Sequence, residues 1–374
     1  MITSPNKVII DLSALVGNLH QIRALVSEDT RIMGVVKADA YGHGLLEVAR
    51  SLEKNGVDCL GTAYLHEALD LRKGGVRLLP IVILCGIRTR EEAHETLEKG
   101  LTPVLYDLTA VETLSREGVK LGKRARIYLK VDTGMGRLGI SHNDIGPFLQ
   151  RIAPLKNLHI EGLTSHLASA DEPESRFSEE QTKRFEEAIF IGRSMGLDLP
   201  LNNMANSGGI MCHERTHFNM VRPGIMLYGG LPSPDFISPV PLTPVMHFRA
   251  QVLQIRDLPG KTPISYGRTY HTEGPCRIAV VSAGYSDGLS RNLSNRGKVL
   301  IKGKKAAIVG AVCMNLTICD ITGLKDVEPG DEVVFLGSQG RESIKGDDIA
   351  KSAGTISYEV FCSIGRKNIR EYLS

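Results

Sequence analysis

The chain has 374 residues, 42% of them apolar and 23% charged, which is enough for two domains and has none of the bias of a disordered protein. Its net charge of +3 comes from 45 basic and 42 acidic residues interleaved along the chain, so it lacks the basic stripe of a nucleic-acid binder and a small-molecule partner is expected. No apolar run approaches the ~18 residues of a membrane span, the first residues lack an export signal, and seven scattered cysteines without a CxxC pair suit reduced, buried thiols, so a cytoplasmic location is expected.

Leu12, Leu15, Val16, Leu19 and Ile22 recur on one face of a first helix. From about residue 30 to 225, short β-branched runs then alternate with amphipathic helical stretches. The runs predict parallel strands at 32–36, 57–62, 81–85, 102–105, 126–131, 159–163, 201–204 and 218–221. Gly56, Gly118 and Gly196 sit where helices are expected to stop, and the stretch 178–195 is the longest helix. Eight such strands imply a closed (β/α)8 barrel of the TIM type. The competing doubly wound sheet would carry a glycine-rich nucleotide fingerprint after its first strand, and none is there.

Beyond Leu231 the segment LPSPDFISPVPLTP brings five prolines and ends the alternation, which sets the expected domains at 1–240 and 241–374. In the second, Met246, Phe248, Ala250 and Val252 alternate with polar residues, and further runs follow at 277–283, 298–302, 306–313 and 332–336. Without helical crossovers between them, this sheet is expected to be mainly antiparallel.

In a barrel the chemistry gathers after the carboxyl ends of the strands. Lys37 follows the first strand, Lys130, Asp132 and Arg137 the fifth, His166 the sixth, Asn206 and Ser207 the seventh, and Arg222, Gly224 and Ile225 the eighth. A lysine at a dry barrel rim can lose its proton and attack an aldehyde. Tyr41, Ser207 and the backbone N–H groups at Gly224 and Ile225 suit a phosphate cradle. Taken singly each has a duller reading: a solvated rim lysine, a core histidine, a surface arginine, a helix-capping serine. Their joint placement after consecutive strands decides for the functional one. Cys212, His213 and His217 are metal-ligand types without a second cluster nearby, so no metal is expected.

The segments VVKADAYGHG, LKVDTGMGRLG, MANSGG, VRPGIMLYG, ISYGRTY, SAGYSDG and AVCMNLT resemble, in order and across nearly the whole chain, those of the alanine racemase family. That resemblance implies a pyridoxal 5'-phosphate (PLP) enzyme, an amino-acid isomerase acting on alanine. It further implies a head-to-tail homodimer with shared sites and, in bacteria, D-alanine supply for peptidoglycan. It makes Lys37 the cofactor lysine and one acid/base group and Tyr266 of the other subunit the second, on opposite faces of the substrate. One group takes the α-proton and the other returns it on the opposite side. His166 would link Tyr266 to Arg222, whose guanidinium meets the pyridine nitrogen. Arg137 would contact the cofactor and the substrate carboxylate near Met314, Tyr358 would bind phosphate, Tyr285 would line the entrance, and Lys130 would be carbamylated. Asn315 departs from the family's usual aspartate, which leaves serine or a broader range of small amino acids open as substrates. A decarboxylase on the same barrel would place a carboxylate at the pyridine nitrogen where this chain has Arg222, and a non-catalytic PLP carrier would lack the domain bearing ISYGRTY.

Overall fold

The β-branched runs become strands, and the helices between them carry the stops that their glycines and caps dictate. The computed structural model describes residues 4–374. Of these, the residues up to Asn18, Tyr41–Gly44 and Tyr228–Ser374 form one unit, and Leu19–Ala40 with Leu45–Leu227 form another.

In the second of these units, Arg31–Val35, Cys59–Thr62, Ile81–Ile83, Thr102–Leu105, Ala125–Asp132 and Leu158–Thr164 pair in parallel and in chain order. The ring closes through single residues. Asn203 bridges in parallel to Thr164 on one side and to Met220 on the other, and Met220–Val221 lies parallel to Arg31–Val35. Six strands, one bridging residue and a two-residue strand thus make the (β/α)8 barrel, with the expected seventh strand, 201–204, reduced to its bridge. Met33, Cys59, Val82, Val104, Tyr128 and Met220 fill the interior, as the packed layers of such a barrel require.

The longest helix is Arg176–Ser194, and Gly196 follows it at φ 83°. Gly118 does not stop a helix. It lies inside Leu108–Leu121, which ends at the left-handed cap Gly122. Gly118 is needed there for space: a Cβ would stand 2.9 Å from the Lys123 carbonyl and 3.2 Å from Asn157 Cβ.

The other unit is built on the long strand Met246–Leu258, whose Met246, Phe248, Ala250 and Val252 are buried as the alternation requires. It pairs antiparallel with Lys7–Asp11, Cys276–Val281 and Glu332–Gln339. Lys298–Ile301, Lys304–Ile308 and Thr317–Asp320 extend the sheet, and Arg370–Leu373 adds its parallel edge beside Lys7–Asp11. Two helices that sequence patterning does not anticipate, Gly346–Ala353 and Ser357–Lys367, follow the hairpin strand Glu342–Ile344. The expected strand 306–313 stops at Ile308. All seven cysteines are free, but only Cys59 and Cys319 are fully buried, which corrects the expectation for the other five. Among the described residues, no helix is long and apolar enough to cross a membrane.

Candidate active site

Lys37 directly follows the buried strand Arg31–Val35 and Val36. The backbone after it is unusual: Ala38, Asp39, Ala40 and Tyr41 all take left-handed conformations, with φ of 57°, 58°, 52° and 54°. Such a run costs L-residues roughly 1–2 kcal/mol each, so neighbouring contacts must hold it. The buried Glu67 carboxylate accepts from Ala38 N at 2.6 Å and Ala63 N at 2.7 Å, Asp39 accepts from Leu45 N at 2.8 Å, and Ala40 N donates to Val36 O at 2.8 Å. Nothing in KADAY announces this turn, because its first glycine is Gly42.

Around Lys37 the barrel gathers cations. Burial lowers the Lys37 ammonium, with Arg137 and Arg222 pushing the same way against the opposing pull of Cys85 and Glu67. Lys130, inside the strand Ala125–Asp132, is brought down to about 8 by burial and then by Arg222 and Arg137. Arg137 itself is exposed at the end of a loop that Asp132 ties by accepting from Gly134 N and Gly136 N.

Arg222 is buried in the wall, and burial lowers its guanidinium to about 10, so it stays charged at neutral pH. It donates to Ser165 O at 2.5 Å, Met204 O at 3.1 Å, Thr164 Oγ1 at 3.2 Å, His166 Nδ1 at 3.3 Å and, in a very short contact, Asn203 Oδ1. All five acceptors are uncharged. Burial, followed by Arg222, Lys130, Arg137 and Lys37, holds His166 well below the usual imidazole range and so neutral. A guanidinium only donates, so Nδ1 accepts and the ring's one proton sits on Nε2. Gln181, fully buried in the long helix, fixes the histidine backbone by donating to His166 O at 3.0 Å.

At the closing end of the barrel, Ser207 Oγ accepts from Gly224 N at 3.1 Å and Met226 N at 3.3 Å, with Ile225 buried between them. Asn206 caps the short helix that begins at Ser207 through Gly209 N at 3.0 Å. A reactive amine, three further cations, a hydroxyl and converging backbone donors fit PLP, which brings an aldehyde, a phenolic oxygen, a ring nitrogen and a phosphate.

The remaining expected residues belong to the other unit. There Tyr41 stacks on Tyr228 with centroids 4.9 Å apart and tilts against Tyr358 at 5.8 Å. Tyr266 is 71% exposed and rides on strained backbone, with Ser265, Gly267 and Arg268 at φ 63°, 72° and 51°. Ser265 anchors that turn by donating to Ala311 O at 2.7 Å. Tyr285 N donates to Cys313 O at 3.0 Å and Ser286 N to Met314 O at 2.8 Å, a close approach that needs Gly284, since a Cβ there would overlap both carbonyls. Asn315 donates to Ser286 Oγ at 2.7 Å. Among the described residues no group of His, Cys, Asp and Glu could hold a metal ion. Glu67, Thr164, Ser165, Gln181 and Asn203 are participants that sequence reasoning missed.

Known proteins share this organisation. Residues 10–232 match the alanine racemase N-terminal domain and 245–372 the alanine racemase C-terminal domain. Alanine racemase 2 of Caldanaerobacter subterraneus subsp. tengcongensis is 41% identical over 370 residues, covering 99% of this chain and 95% of its own. The crystal structure of alanine racemase from a D-cycloserine-producing Streptomyces lavendulae superposes with a TM-score of 0.93 at 33% identity, covering 100% of this chain and 98% of that one. Alanine racemase from Bartonella henselae, solved with covalently bound pyridoxal phosphate, does so with a TM-score of 0.89 at 30% identity, over 98% and 99% of the two chains. Barrel, β unit and basic cluster together define a PLP-dependent amino-acid racemase. The chain belongs to the alanine racemase family.

Proposed function

We propose that this protein interconverts L-alanine and D-alanine in the cytoplasm, as a homodimer whose site in one subunit is completed by Tyr266 and Tyr285 of the other, and that it supplies D-alanine for peptidoglycan. The observation that carries the reading is Arg222: a buried, charged guanidinium that fixes a neutral His166 beside a desolvated Lys37. A racemase needs two groups that each hold or release one proton on demand, and this reading assigns those roles to Lys37 and to the partner subunit's Tyr266.

Lys37 would carry the cofactor, Ser207 with the backbone at Gly224 and Ile225 and with Tyr41 and Tyr358 would hold its phosphate, and Arg137 would meet its phenolic oxygen and the substrate carboxylate near Met314. Bound there, PLP supplies the electron sink that acidifies the α-hydrogen of the amino acid. Lys37, whose ammonium is destabilised by burial, is suited to take or give that proton on one face. On the other face the partner subunit's Tyr266 would do the same. Its phenolate would be steadied by the Nε2–H of His166, backed by Arg222. Arg222, which keeps its own proton at neutral pH, would be the residue to meet the pyridine nitrogen and would leave that nitrogen unprotonated. Lys130, beside Arg137, would relieve its own charge by carbamylation.

The test is direct. Holoenzyme should interconvert the alanine enantiomers faster than those of serine or a larger amino acid, and borohydride should fix the cofactor to the peptide bearing Lys37. Faster turnover of serine would displace alanine as substrate, and an unlabelled Lys37 would end the proposal.

A further inference from the structure

Arg222 poses an energetic puzzle. A buried guanidinium ordinarily takes a carboxylate partner, because an unpaired charge in a dry interior is costly. Here its five acceptors are two hydroxyl- or amide-bearing side chains, two carbonyls and an imidazole. The amide is that of Asn203, 1% exposed, which bridges in parallel to Thr164 and to Met220 at the seventh strand position.

We propose that Asn203, with Thr164 behind it, is a positioning residue: its amide oxygen holds Arg222 without neutralising it, so that the guanidinium stays turned to His166 Nδ1 and the imidazole proton stays on Nε2. This deepens the racemase reading and rests on it. The orientation of the amide is set from both ends. Nδ2 donates to Leu201 O at 3.1 Å, which leaves Oδ1 facing Arg222. Thr164 Oγ1 gives its single hydrogen to the same Oδ1 at 2.6 Å, which leaves the hydroxyl lone pairs for Arg222 Nη1 at 3.2 Å. The two residues are also locked by backbone: Asn203 N donates to Leu163 O and Ser165 N to Asn203 O, each at 3.0 Å. Turning either side chain away would break its bonds to Leu201 O, to Arg222 or to each other.

An aspartate would fit the same space and make the stronger pair with arginine. It would also offset the charge of Arg222, which acts on His166 together with Lys130, Arg137 and Lys37. An asparagine is therefore the residue that anchors the arginine and leaves its charge in play.

The experiment compares wild-type holoenzyme with Asn203→Asp and Thr164→Val, reading the ring nitrogens of His166 by 15N resonance alongside kcat and KM. The wild type should show a neutral Nε2–H ring through neutral pH. Asn203→Asp should raise the His166 titration by about one pH unit or more, as a new adjacent carboxylate does, and lower kcat about 10-fold with KM little changed. Thr164→Val should move both readouts the same way by less, and it carries the test alone if the aspartate variant does not fold. A folded variant with wild-type imidazole signals and wild-type kcat overturns the assignment. Loss of racemase activity in the wild type, with the His166 signals as described, would instead overturn the function and leave the positioning intact.

Discussion

The two units hold their functional residues in opposite ways. In the barrel, Arg222 is met by five acceptors and His166 is fixed in one protonation state. In the β unit, Tyr266, Tyr285 and Met314 are 71%, 37% and 57% exposed and are positioned by backbone rather than by packing. A group whose charge state must be held needs a dry, satisfied surrounding. A group that needs only to be presented can ride on a strained turn, provided another surface dries it. In the proposed homodimer the second copy would cover these exposed tyrosines, and the contrast can be broken from either side.

Replacing Lys37 by Ala should break it hardest, lowering alanine racemisation by more than about 10⁴-fold, since covalent attachment and one acid/base group go together. Thermal unfolding should be unchanged or raised, because a buried ammonium is removed; a variant that keeps a tenth of the activity would remove Lys37 from the mechanism. Tyr266→Phe should cost about 10²–10⁴-fold in exchange of the L-alanine α-hydrogen with deuterated solvent, far less for D-alanine. Its stability should stay within about 0.5 kcal/mol of wild type, as at exposed sites generally. Equal losses for both enantiomers would defeat the assignment of opposite faces.

This contrast also separates what the chain discloses from what it hides. Lys37, His166 and Arg222, which the structure brings together, are legible because each follows a β-branched run, whereas Tyr266 is singled out by the motif ISYGRTY alone. Asn203 and Thr164 were not: short polar residues in a barrel strand look like edges of core, and their partnership with Arg222 exists only once the ring closes. Gly118 misled because glycine marks both helix ends and close approaches, and at 118 the second holds. The helices Gly346–Ala353 and Ser357–Lys367 went unseen because they are short and lie among strands. The pairing of Lys7–Asp11 with Arg370–Leu373 joins the two ends of the sequence, beyond the reach of any local pattern.

A smaller effect sharpens the account of the buried half. Unmodified, Lys130 titrates at about 8 in the folded chain and at its ordinary 10.5 when unfolded. Below pH 8 both states are charged and the folded one bears the full burial cost. Between those values the unfolded chain binds the extra proton, so stability rises with pH. Lys130→Met should therefore stabilise the protein by about 3 kcal/mol at pH 7, at 1.36 kcal/mol per pH unit, and by progressively less toward pH 10, measured by denaturant unfolding. No gain at pH 7, with a wild type whose stability depends on bicarbonate, would instead mark a carbamylated lysine already paired with Arg137.

The smallest effect belongs to the exposed half. Asn315 donates to Ser286 Oγ at 2.7 Å on the surface of the single chain. An aspartate there could keep the contact only by taking the serine hydrogen now given to Asp287 Oδ2 at 3.2 Å, one exposed acceptor replacing another, so stability should not change by more than about 0.5 kcal/mol. What changes is one charge, and in water at physiological salt its field fades within about 8 Å. If the face stays wet, Asn315→Asp should alter the ratio of kcat/KM for serine over alanine by no more than about fivefold, because an exposed charge pair is worth at most ~1 kcal/mol. A change of a hundredfold would mean that the residue sits in a dry, shared site after all, and that the amide at this position governs which amino acid is racemised.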